Sequence, residues 1–211
     1  DAVALLPSAN DDGYAAVDGL GGIQVHGKFV NRGSAVAIQI SWVMVGAAST
    51  RDRGGYWMVG ADGGIFTFGN AHFYGSTGAL RLTSPVNGMA PTRSGKGYWL
   101  LASDGGVFSF GDAAFFGSTG GIHLNLPVDG MAPTPTGKGY WLVASDGGIF
   151  SFGDAAFFGS TGNIHLNSPV VAMAPTKTGK GYWMVASDGG VFTFGDAKFY
   201  AERNTKCDTE F

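Results

Sequence analysis

The residues able to do chemistry in this chain arrive in register. Asp62, Asp104, Asp146 and Asp188 each precede Gly-Gly and lie 42 residues apart. Ser118, Thr119, His123 and Asn125 follow Asp104, and Ser160, Thr161, His165 and Asn167 follow Asp146 at the same offsets. Short polar donors and acceptors near aromatic residues are what a neutral sugar needs, because it offers hydroxyls on its rim and an apolar ring face. Trp99 and Trp141 are the aromatic platforms in that scheme, and several equivalent weak sites would gain strength through multivalency. A plainer role competes at each position. Asp suits an Asp-Gly-Gly turn, Ser-Thr-Gly suits a loop cap, and the tryptophans suit a core. His123 and His165 each sit between Ile and Leu in an alternating segment.

Catalysis is poorly served by this pattern. A catalytic site joins unlike residues, whereas a repeat supplies like residues at several places. Ser, His and Asp recur as turn residues without a nucleophile elbow. No Cys/His cluster offers a zinc site, and isolated Asp-Gly turns lack the ligand spacing of a calcium loop. We therefore expect no enzyme, no metal and no cofactor. Singular chemistry is possible only where the copies diverge. The first copy has Gln24, His26, Asn31 and Arg32 where the second has Phe66, Phe68, Phe73 and Tyr74. The last copy has Ala201-Glu202-Arg203-Asn204 in place of Gly-Ser-Thr-Gly. If first and last copies meet, His26, Arg32, Trp42, Glu202 and Arg203 would line a seam able to serve a hydrolase or lyase. Ordinary drift of terminal repeats gives the same divergence.

The elements that must carry these residues follow from the period. Gly-Tyr-Trp recurs at Gly55, Gly97, Gly139 and Gly181, and a weaker copy begins at Gly13. The copies divide the chain at 1–42, 43–84, 85–126, 127–168 and 169–211, one domain of five repeats with no length left for a second. A fixed period of this size marks a solenoid, a propeller or an array. In the third copy Val86–Ala90, Tyr98–Ser103 and Val107–Phe110 read as strands, separated by turns at Ser94-Gly95-Lys96 and Asp104-Gly105-Gly106. Ala114–Gly117 reads as a short fourth. The second strand is apolar on both faces, as a sheet covered on both sides requires. Phe108 and Phe110 share a face and point to the layer between repeats.

These features predict an all-β fold, a β-propeller of five four-stranded blades closing in one chain. A larger ring completed by a second chain or by removed sequence is the alternative, and a β-solenoid a third. The loops carrying Asp104 and Ser118–Asn125 should share one face. The other face should carry Lys96, Lys138 and Lys180, ion-paired with Asp112, Asp154 and Asp196 in exposed pairs of little worth.

Composition narrows the partners. Only 14% of the 211 residues are charged, 37 are glycine, and the net charge is −3 without a basic run. That excludes the phosphate neutralisation on which nucleic-acid binding rests. The most apolar stretch, Ala35–Ala48, is too short to span a bilayer and is broken by Gln39 and Ser41. Asp1 begins the sequence without a recognisable signal peptide, as in a mature form. The lone Cys207 makes no intramolecular disulfide and reads as a surface thiol.

The stretch Gly139-Tyr140-Trp141-Leu142-Val143-Ala144-Ser145-Asp146-Gly147-Gly148-Ile149-Phe150-Ser151-Phe152-Gly153-Asp154-Ala155 resembles a repeat of secreted and wall-associated actinobacterial proteins. The resemblance covers roughly residues 43–200 and is weak over 1–42. It implies β-propeller arrays, found alone or beside esterase or peptidoglycan amidase domains, and no single activity. A five-bladed ring is also similar in architecture to tachylectin-type lectins, without a shared binding motif. The function expected is a secreted or wall-associated, non-catalytic, lectin-like module, multivalent for glycan or cell-wall polymer. A protein-interaction scaffold is the alternative, and the chain should be a monomer or small homo-oligomer without a transmembrane segment.

Overall fold

A computed structural model describes residues 1–38, 40 and 42–200. Among them the fold is all-β, with fifteen strands in five three-stranded antiparallel sheets and no helix. The first sheet is β1 (Ala2–Pro7), β2 (Gly13–Asp18) and β3 (Ile23–Gly27); the second is β4 (Met44–Ser49), β5 (Gly55–Gly60) and β6 (Ile65–Gly69). The third holds β7 (Val86–Pro91), β8 (Gly97–Ala102) and β9 (Val107–Gly111). The fourth holds β10 (Val128–Pro133), β11 (Gly139–Ala144) and β12 (Ile149–Gly153), and the fifth β13 (Val170–Pro175), β14 (Gly181–Ala186) and β15 (Val191–Gly195). Strand order follows chain order in every sheet.

Turn chemistry sets the register. Gly105 has φ of 76°, a region open to glycine at little cost. Its N–H donates to Ala102 at 2.8 Å while Ala102 N–H donates to Gly106 at 2.8 Å, closing the hairpin between β8 and β9. The first strand of every sheet carries a bulge after its first residue, at Asn87 in β7 and Asp129 in β10.

The core lies between sheets. Tyr98 and Leu100 of β8 pack towards the second repeat with Trp57 and Val59, partly covered by Phe108 and Phe110. Trp99 and Leu101, their chain neighbours, pack towards the fourth repeat with Tyr140, Leu142 and Val128. Alternation along one strand thus supplies two different junctions. Each of the four apolar clusters draws on two neighbouring repeats. One backbone hydrogen bond also crosses each junction, such as Val128 N–H to Ser103 O at 2.9 Å. The first strands β1, β4, β7, β10 and β13 pack side by side in that order. Among the described residues no such packing joins β13 back to β1.

Each sheet has three strands, and the segment read as a fourth makes no ladder. Ala114–Gly117 runs as a strap between repeats. Trp99 Nε1 donates to Ala114 O at 2.8 Å; Tyr140 Oη accepts from Phe116 N–H at 3.2 Å and donates to Gly117 O at 2.5 Å. Side chains from its own and the following repeat satisfy backbone groups that a strand partner would otherwise take.

Candidate functional site

The Asp-Gly-Gly turn and the loop after the strap come together on one face, held by a conserved-in-register hydrogen bond. Thr119 Oγ1 donates to Asp104 O at 3.3 Å, Thr161 Oγ1 to Asp146 O at 3.1 Å and Thr77 Oγ1 to Asp62 O at 3.0 Å. The aspartate carboxylates bend back on their own turns. Asp62, Asp104, Asp146 and Asp188 accept through Oδ1 from Gly64, Gly106, Gly148 and Gly190 N–H at 2.8–2.9 Å. Their Oδ2 atoms make no hydrogen bond among the described residues and are open acceptors.

Two grooves form beside these turns. One, of about 320 Å3, brings Asp146, His165 and Asn167 together with Leu126, Ile164 and Leu166. A second, of about 550 Å3, sets Asp104, Ser118 and Phe115 of the third repeat beside Arg81 and Thr83 of the second. His123 and Asn125 are exposed on the loop equivalent to that of His165 and Asn167. Ser160 is half-buried and Asp188 exposed. The grooves can offer a ligand carboxylate acceptors, imidazole and amide groups, and an apolar wall.

The structure places other expected residues elsewhere. Thr119 and Thr161 are buried, with their hydroxyls committed to the turns. Trp99 and Trp141 are fully buried, their indole N–H groups donated to Ala114 O and Ala156 O, so neither ring face meets solvent. The exposed aromatic is Phe115, 60% accessible, matched by Phe73 and Phe157 in the adjoining repeats. Leu80, Ile122 and Ile164 form a parallel exposed apolar series. The Phe115-Phe116 pair was the available signal, since adjacent residues of an extended segment face opposite ways.

The three described seam residues, His26, Arg32 and Trp42, are not gathered. His26 is exposed and stacks on Tyr14, ring centroids 4.7 Å apart. Arg32 lines a small cleft of about 100 Å3 between the first and second repeats with Lys28 and Tyr56. Trp42 is exposed, and no described groove holds two of these three. Glu202, Arg203 and Cys207 lie outside the described residues.

On the opposite face the expected lysine–aspartate pairs are replaced by hydroxyl clamps. Asp112 accepts from Thr92 at 2.8 Å and Ser94 at 2.5 Å, and Asp154 from Thr134 at 2.9 Å and Thr136 at 2.5 Å. Asp196 is held likewise by Thr178 and Thr176, which lower its pKa, and Asp52 by Thr50 and Asn70 with the same effect. Short hydroxyls anchored in the turn reach the carboxylate at less entropic cost than a long lysine. The ion pairs among the described residues are Lys28–Asp12 and Arg53–Asp11.

Among the described residues no group of three or more His, Cys, Asp or Glu could hold a metal ion. Among the described residues no helix is long and apolar enough to cross a membrane. No protein-family model matches the chain, and no curated protein matches it significantly.

Proposed function

We propose that the chain is a non-catalytic, secreted or wall-associated binding module that takes a glycan or cell-wall polymer along its Asp-Gly-Gly face. The observation that carries this reading is the groove uniting the open Oδ2 of Asp146 with His165, Asn167 and the apolar edges of Leu126 and Ile164. A hydroxyl can donate to the carboxylate while a ring face lies on the aliphatic wall. The neighbouring groove offers a related set in a different arrangement, with Asp104 and the exposed Phe115 facing Arg81 and Thr83 of the preceding repeat. Each site is shallow and individually weak, and an extended polymer bridging several would bind through avidity.

In this reading the five sheets are propeller blades, each strap serving as the outer edge where a four-stranded blade has its last strand. The resemblance of the repeat to wall-associated actinobacterial proteins points the same way. A protein-interaction scaffold is the second reading, favoured by the exposed series Phe73, Phe115, Phe157 and Leu80, Ile122, Ile164. Solvent-facing apolar residues in a regular row suit a partner surface.

A screen of soluble glycans and peptidoglycan fragments separates the two. A saccharide hit that weakens roughly tenfold or more in Asp146→Asn combined with Asp104→Asn supports the groove, because a hydrogen bond to a charged group contributes about 1.5–3 kcal/mol. Asn keeps an Oδ1 for the turn, so the fold is spared. No saccharide binding at millimolar ligand would overturn the glycan reading.

A further inference from the structure

Four internal junctions show what each face of a repeat is built to meet, and among the described residues the two outermost faces have no such partner. At the junctions Trp57, Trp99 and Trp141 lie against Tyr98, Tyr140 and Tyr182 of the following repeat, with ring centroids 5.7–5.8 Å apart. Both partners are thereby buried to 2% exposure or less. The fifth repeat carries the same exit face without a partner. Trp183 is only half-buried, and Val191 is 40% exposed where its counterpart Val107 is 9%. The first repeat carries the matching entry face, where Tyr14 is 46% exposed and Leu5 65%.

Charge agrees with shape. At the junction of the second and third repeats, Arg51 and His72 share a groove of about 460 Å3 with Ser94 and Gly95 of the next repeat. One repeat period places Lys177 and Lys198 at the positions of Arg51 and His72 in the fifth repeat. The positions of Ser94 and Gly95 are Asn10 and Asp11 in the first. Docking the two free faces in the geometry of an internal junction sets two exposed lysines opposite an aspartate whose other neighbour is Arg53, 2.5 Å away.

We propose that a second copy of this chain docks head to tail, its first repeat covering the Trp183–Val191 face of the fifth. Among the described residues β13 does not pack on β1, which leaves both faces to pair between chains. Such a contact is heterologous: each added copy leaves one face open, and assembly continues until a ring closes.

Light scattering and sedimentation velocity from micromolar to millimolar chain test it. The average mass should rise with concentration beyond a dimer. Leu5→Arg and Val191→Arg, both at exposed positions, should each hold the chain monomeric, while mixing the two variants should restore one discrete dimer through the remaining pair of intact faces. Lys177→Glu with Lys198→Glu, which leaves the apolar surface untouched, should weaken association several-fold. A monomer throughout overturns the proposal, as does a mixture that fails to pair, which would mean like faces associate. Association that survives both arginine variants overturns it equally.

Discussion

Tyr140 shows how one side chain holds two repeats. Its ring lies 5.8 Å from Trp99 of the repeat before and 5.7 Å from Phe152 of its own, while its hydroxyl bridges Phe116 N–H and Gly117 O. Tyr140→Phe keeps the ring and removes the bridge, leaving two backbone groups unpaired. We expect a loss of about 1–3 kcal/mol in denaturant unfolding, with an unchanged far-ultraviolet spectrum. Tyr56, Tyr98, Tyr140 and Tyr182 occupy this position in turn, and burial raises the pKa of every one above the ordinary 10.0. The folded state therefore holds its phenolic protons more tightly than the unfolded state. Stability should be intact below pH 10.0 and fall as pH rises past it, with unfolding and the phenolate absorbance of these four appearing together. Ionisation of these four tyrosines without loss of structure would contradict this. The turn aspartates were legible in the sequence from their spacing, whereas Trp99 and Trp141, expected as sugar platforms, belong to the core. The burial of Thr119 and exposure of Phe115 were not, because each depends on where the strap lies in space.

At the scale of elements, punctuation made the three strands readable. Asp104-Gly105-Gly106 and Ser94-Gly95-Lys96 bracket β8, and its bounds fall within one residue of the expected span Tyr98–Ser103. Local pattern failed at Ala114–Gly117, which is apolar enough for a strand yet takes its hydrogen bonds from Trp99 and from Tyr140. Tyr140 lies 24 residues beyond Phe116, outside any local window. The lysine–aspartate expectation failed similarly, since Thr134 and Thr136 already stand beside Asp154 in the folded turns. On the Asp-Gly-Gly face, Asp146, His165 and Asn167 were grouped by register alone, and the structure sets them in one groove. Their apolar company, above all Leu126 from the preceding repeat, becomes visible only once the sheets are packed.

As a whole, the molecule is a chain of junctions more than a single core. Each apolar cluster belongs to two neighbours, so stability should approximate a sum of repeat and nearest-neighbour contributions. Excising residues 85–126 joins Ser84 to Pro127 and recreates a junction of the same kind. The four-repeat product should fold, keep its spectrum per residue, and unfold at lower denaturant; a product that does not fold would show the array to be indivisible. Head-to-tail pairing of the end faces extends this logic beyond one chain. On the Asp-Gly-Gly face the periodicity repeats one turn geometry at Asp62, Asp104 and Asp146, and the proposed glycan reading takes each such turn as one site. The decisive measurement is a calorimetric titration of the whole chain with a saccharide or peptidoglycan fragment found in the screen. We predict about three or four equivalent sites per chain, the number of intact Asp-Gly-Gly repeats, falling when Asp104 and Asp146 are changed to Asn. A single site per chain that ignores those substitutions, or no heat at millimolar ligand, would contradict the multivalent glycan-binding face.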